Sequence, residues 1–120
     1  MTGDRRLTYE EIGPIPRPQL ERDLASGDPD TVCRAVVSAA LFEEDWSWVE
    51  GWCMRLARDP RPQVRGCAAT SLGHLARIHG VLHLEDVLPL LEELVADAAV
   101  GGRAEDALAD IRRFVKPGTA

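Results

Sequence analysis

Proline and glycine cut this chain into short pieces, and the pieces between them are helical in their spacing. Breaks fall at Gly13-Pro-Ile-Pro-Arg-Pro, Gly27-Asp-Pro, Asp59-Pro-Arg-Pro, Gly80, Gly101-Gly and Pro117-Gly. Proline lacks an N–H donor and fixes φ, and glycine accepts the left-handed conformation that ends helices, so each cluster predicts a boundary. Between boundaries the apolar residues return every three or four positions, and no segment alternates as a half-buried strand would. A chain of 120 residues with 45% apolar and 28% charged side chains has room for one soluble domain. The expected fold is all-α, with about five to six helices.

The stripes place these helices. The first is expected over Gln19 to Ser26, carrying Leu20 and Leu24. A second starts with Asp28 as N-cap and Pro29 at the first helical position, and runs to about Phe42. The third runs from near Asp45 to near Arg58, with Trp46, Val49, Cys53, Leu56 and Ala57 on one stripe. The fourth opens at Asp59-Pro-Arg-Pro and carries Val64, Cys67, Ala68, Leu72 and Leu75 before Gly80 stops it. The fifth spans Leu84 to Asp97, where Pro89 predicts a kink or a late start, and the sixth spans Arg103 to about Lys116. Residues 1–18, with Pro14, Pro16 and Pro18, are expected to form an extended arm, and residues 19–117 the helical domain.

The second and fourth helices repeat one another. Asp28-Pro-Asp-Thr-Val-Cys-Arg-Ala aligns with Asp59-Pro-Arg-Pro-Gln-Val-Arg-Gly-Cys-Ala at an offset of about 32 residues, and a weaker copy starts at Val100-Gly-Gly-Arg-Ala-Glu-Asp-Ala-Leu. A period of this length with two helices per unit indicates a stacked helical solenoid. The run Asp59-Pro-Arg-Pro-Gln-Val-Arg-Gly-Cys-Ala-Ala-Thr-Ser-Leu-Gly resembles the core of HEAT-like repeats, including those of phycobilisome lyases. The resemblance implies a short HEAT-like α-solenoid of three stacked helical units over residues 28 to 115, with the arm in front. It also implies that Asp59 caps its helix and that Arg65 reaches a carboxylate of the neighbouring unit. The segments Asp45-Trp-Ser-Trp-Val and Gly102-Arg-Ala-Glu-Asp-Ala-Leu are similar, more loosely, to small single-domain bacterial HEAT-like proteins, some of which resemble immunity proteins of toxin systems.

Several function classes drop out. Twenty acidic against 14 basic residues, a net charge of −6, would repel a nucleic-acid backbone. No apolar run approaches the roughly 18 residues of a membrane span, and the N-terminus lacks the apolar stretch of a secretory signal, so a cytoplasmic location is expected. Cys33, Cys53 and Cys67 form no CxxC pair and read as reduced core thiols. His74, His79 and His83 do not converge at helical spacing, with His79 expected to flank the core and His74 to sit at its edge. No metal or cofactor site is expected, nor any catalytic residue, since nucleophile-elbow, phosphate-loop and zinc-hydrolase motifs are absent.

Binding is the remaining class. Trp48 and Trp52 lie off the apolar stripe of the third helix, where they are either covered by the arm or first helix, or presented to a partner. Glu44, Asp45 and Glu50 surround them. From Leu82 to Asp110 there are eight acids and one base, Arg103. In a HEAT-like stack the second helix of each pair lines one face, so Glu85, Glu92 and Glu93 are expected to share a surface with Trp48, Trp52 and Glu50. The chain is therefore expected to be a non-catalytic module that binds a protein with a basic surface, and, on the looser resemblance, to inhibit a basic toxin as an immunity protein. The alternative left open is a structural or regulatory HEAT-like scaffold that self-associates.

Overall fold

The computed structural model describes residues 12–117, and among these residues the regular structure is helical throughout. The six helices are α1 (Arg17–Leu24), α2 (Pro29–Phe42), α3 (Trp46–Leu56), α4 (Pro62–His79), α5 (Leu84–Val95) and α6 (Gly101–Phe114). None is long and apolar enough to cross a membrane. Residues 1–11 of the expected arm lie outside the described residues.

Local chemistry explains the boundaries. At α2 the Asp28 carboxylate accepts from the Thr31 backbone N–H (3.1 Å) and hydroxyl (2.6 Å), while Pro29 occupies a position whose N–H would have no partner. Helix α1 begins at Arg17, earlier than expected, because proline is equally tolerated in a first turn and Pro18 lies there. The extended segment therefore ends at Pro16. Its Ile12 is buried, and the Gly13 carbonyl accepts from Ser38 Oγ of α2 (2.8 Å). At α4 the capping role expected of Asp59 is corrected. Pro62 in the first turn makes Arg61 the N-cap, and Asp59 instead accepts from the Arg61 backbone N–H (2.9 Å) and Nε (2.8 Å). Gly80 ends α4 at φ 68°, in the left-handed region. Pro89 stays inside α5 without ending it.

The helices form two layers. In one, α4 lies between α2 and α6, and in the other α1, α3 and α5 each pack on the helix that follows them. The first layer is parallel and in register. Near the N-termini of α2 and α4, Gln63 Nε2 donates to Asp30 (2.7 Å) and Arg61 Nη1 to the Gly27 carbonyl (3.1 Å). Gly73 lets α6 come close, since a Cβ there would lie 3.3 Å from the Ala107 Cα. Val64, Ala68, Ala69, Leu72, Leu75 and Ala76 of α4 are wholly buried. Because α4 is covered on so many sides, His74 is buried and not at the core's edge as expected, while His79 is partly buried. Burial pushes the His74 pKa down to about 4, and the neutral ring accepts from Arg77.

Arg65 ties the unit to its neighbour, as the resemblance implied. Its guanidinium donates to Asp97 in the α5–α6 turn (3.0 Å) and to the carbonyls of Asp59 (3.0 Å) and Pro60 (3.1 Å). Both side chains of the pair are mostly shielded, at 18% and 25% exposure, so loss of the arginine strands several acceptors. Arg65→Met is expected to lower unfolding free energy by about 2 kcal/mol in urea denaturation. Arg65→Lys is expected to recover less than half of that, since one ammonium cannot reproduce the planar fork.

Candidate functional site

An open groove of about 570 Å³ runs between α3 and α5. It exists because neither helix supplies a side chain large enough to fill it. On α3 a Cβ at Gly51 would meet nothing within 4 Å, and on α5 Pro89 contributes only a short ring to the lining. Met54 and Leu90 complete the apolar part. The rest of the lining is charged: Glu50 from α3, Arg58 from the turn that follows it, and Glu85, Asp86 and Glu93 from α5. Arg58 and Glu93 meet across it at 3.3 Å, but both are about two-thirds exposed, so solvent screens the pair. Glu85, Asp86 and Glu93 leave a cleft that is negative overall and has a small apolar strip at its base.

Glu50 departs from its expected exposure. It is 6% exposed, and its carboxylate grips the α4–α5 turn at two points. Oε2 accepts from the His83 backbone N–H and Oε1 pairs with His83 Nδ1, both at 2.7 Å. His83 stands at the N-cap of α5 and its ring also contacts Trp46 at 5.1 Å. Glu50 therefore fixes where α5 starts, and so where the far wall of the groove stands. The carboxylate bonded to the ring raises the His83 pKa, with Glu85 and Asp86 adding to the effect.

The surface expected to unite Trp48, Trp52 and the acids is divided by α3. Arg17, the first residue of α1, lies 3.7 Å over the Trp48 ring and reaches Glu43 (3.5 Å) and Asp45 (3.7 Å). Cover for Trp48 thus comes from the first helix. Trp52 carries Arg55 over its ring at 4.4 Å and is half-buried. Asp45 caps α3 by accepting from the Trp48 N–H (3.3 Å), and Glu44 is exposed beside it. Of the expected residues the groove gathers Glu50, Glu85 and Glu93, while Trp48, Trp52, Glu44 and Asp45 lie outside its lining and Glu92 is exposed beyond it. The expected helix positions are also corrected, since α3 and α5 are the first members of the pairs α3–α4 and α5–α6. Asp86, Arg58, Gly51 and His83 were missed. A glycine inside α3 and a proline inside α5 were the available signal, but that both line one groove is a tertiary fact.

The two histidines should imprint opposite slopes on stability. His83 has a folded pKa above the ordinary 6.5, so its contribution is complete below pH 6.5 and is lost as pH rises through the raised value. His74 has a folded pKa of about 4, so stability falls as pH drops from 6.5 towards 4, where the unfolded chain takes the proton first. Titration followed by NMR is expected to place the His83 midpoint above 6.5 and to move it down in Glu50→Gln, with the stability loss on the alkaline side flattened. The acid-side loss is expected to persist in that variant and to vanish in His74→Gln.

No family model matches the chain, and no curated protein matches it in sequence. Among solved structures it is similar to a chain in the crystal structure of a CDI complex from Cupriavidus taiwanensis LMG 19424. The two share 35% identity over 91% of this chain and 98% of that one, with a TM-score of 0.78. Identity at that level over nearly the whole length of both, with the same helical architecture, is a relation of sequence as well as of fold, and the chain belongs to the same family as that member of the CDI complex.

Proposed function

We propose that this chain is the immunity member of a toxin–immunity pair, a non-catalytic protein that binds a basic toxin through the groove between α3 and α5. The family relation to a chain of the CDI complex carries this reading, because it spans essentially the whole of that chain. We read that complex as a toxin held by its immunity protein, and the two-layer stack as a short HEAT-like solenoid. The groove suits a basic side chain. Glu85, Asp86 and Glu93 offer acceptors on one wall, while Gly51, Met54 and Leu90 accommodate an aliphatic stem. Charge of this kind steers association and rejects wrong partners, and the close-packed apolar strip slows release. Glu92, exposed beside Glu93 in the last turn of α5, extends the negative field beyond the groove. Such an encounter takes place in the cytoplasm.

The polypeptide encoded directly upstream is the first partner to test, by co-purification and calorimetric titration. Binding is expected, with an affinity that falls as salt rises. Glu85→Lys with Glu93→Lys should weaken it by about 100-fold, two close charge contacts being reversed. Gly51→Trp should block the groove while leaving the melting temperature within a few degrees, since the space beside Gly51 is open. A toxin that binds both variants with wild-type affinity would remove the groove from the interface, and a toxin domain that does not bind at all would remove the immunity role.

A further inference from the structure

Cys33 and Cys67 leave the role of inert core thiols once the α2–α4 contact is described. Cys33 is almost fully buried, and its Sγ lies 3.5 Å from the carbonyl of Gln63. That carbonyl is one helical turn before Cys67, so the Cys33 thiol rests on the turn that carries Cys67. The parallel register of α2 and α4, fixed by Gln63 with Asp30 and by Arg61 with the Gly27 carbonyl, holds it there. Cys67 is partly exposed, and Arg103 of α6 reaches it, with Nη1 at 3.9 Å from the sulfur. Gly66 makes that reach possible. A Cβ there would lie 2.6 Å from Arg103 Nη1, in the space the guanidinium crosses.

We propose that Cys33 and Cys67 form a thiol pair that reduces a hydroperoxide, with Cys67 as the nucleophile and Cys33 as the resolving thiol. The neighbouring Cys33 thiol and the positive charge of Arg103 lower the Cys67 pKa, against burial and the opposing charge of Asp30 on α2. Cys33 keeps its proton, raised by its hydrogen bond to Cys67 and by burial. The third thiol provides a contrast, since Cys53 is wholly buried, has Glu50 as its charged neighbour and is held protonated.

The chemistry balances within the pair. The Cys67 thiolate attacks the peroxide, an S–O bond forms as the O–O bond breaks, and the departing alkoxide or hydroxide takes a proton. Cys33 then loses its proton and attacks the Cys67 sulfur. The S–S bond forms, the S–O bond breaks, and the leaving hydroxide takes that proton as water. Two thiols supply the two electrons, and a disulfide joins α2 to α4.

The test treats the full chain with hydrogen peroxide and maps its thiols by mass spectrometry. Loss of two hydrogens, a Cys33–Cys67 linked peptide and an alkylatable Cys53 are expected. Cys67 carried to sulfinate with Cys33 still free, or both thiols unchanged, would overturn the pair. A second measurement follows iodoacetamide alkylation of Cys67 against pH. Its midpoint is expected below that of an ordinary thiol and should rise by about one unit in Arg103→Gln and in Gly66→Ala. The glycine variant should fold normally, since only the end of a flexible side chain must move. A midpoint unmoved in both variants would overturn the activation of Cys67 by Arg103.

Discussion

Helix α4 has almost no free side, and the rest of the molecule is arranged around that fact. It packs on α2, α3 and α6 at once, which is possible only because its own side chains are small where neighbours come closest: Gly66 and Gly73 toward α6, Ala68 and Ala69 in the core. Close approach in the α2–α4–α6 layer fixes the separation of the helices seated on it. Interiors pack to a uniform density, so a layer built on small residues cannot be respaced without opening voids. Helices α3 and α5 inherit their spacing from the layer beneath, and Gly51 and Pro89 are too short to bridge it. The groove is thus what remains when the inner layer is satisfied and the outer one is not.

One buried carboxylate then defines the groove's far wall. A carboxylate removed from water is costly unless it is fully bonded. Glu50 meets that requirement by bonding the backbone N–H and Nδ1 of His83, and the choice of partner anchors the first turn of α5 against the middle of α3. Two helices that share little packing surface are held at a set distance by one polar contact.

The architecture was legible in the sequence because its signals are local. Asp28-Pro29 capped α2 as read, Gly80 closed α4 as read, and Arg65 found the neighbouring carboxylate that its motif implied. Signals shared between adjacent residues were less exact. Pro18 reads equally as the end of an extended arm or as the first turn of a helix, and Pro60 and Pro62 moved the cap from Asp59 to Arg61. The candidate site was harder still, because helical spacing fixes the direction of a side chain but not which helix lies opposite. Glu50 and Trp48 sit two positions apart, and that spacing put the first against α5 and the second beneath Arg17 of α1. Cys33 and Cys67 are separated by a whole repeat, and only the register of α2 on α4 shows that one rests on the other.

The acids of α5 differ in what folding explains. Glu85 and Asp86 stand in its first turn, where unpaired N–H groups and the helix dipole favour negative charge, so the fold alone accounts for them. Glu92 and Glu93 stand in its last turn, where the dipole opposes them and no basic residue of α5 offsets the charge. Arg58 answers Glu93 across the groove, but that exposed pair contributes little to stability. Their negative charge therefore works against the isolated helix, and in the proposed complex a cation brought to that end of the groove relieves it. On this reasoning the C-terminal half of α5 is where the toxin's charge should be placed, and the N-terminal acids serve folding first and recognition second.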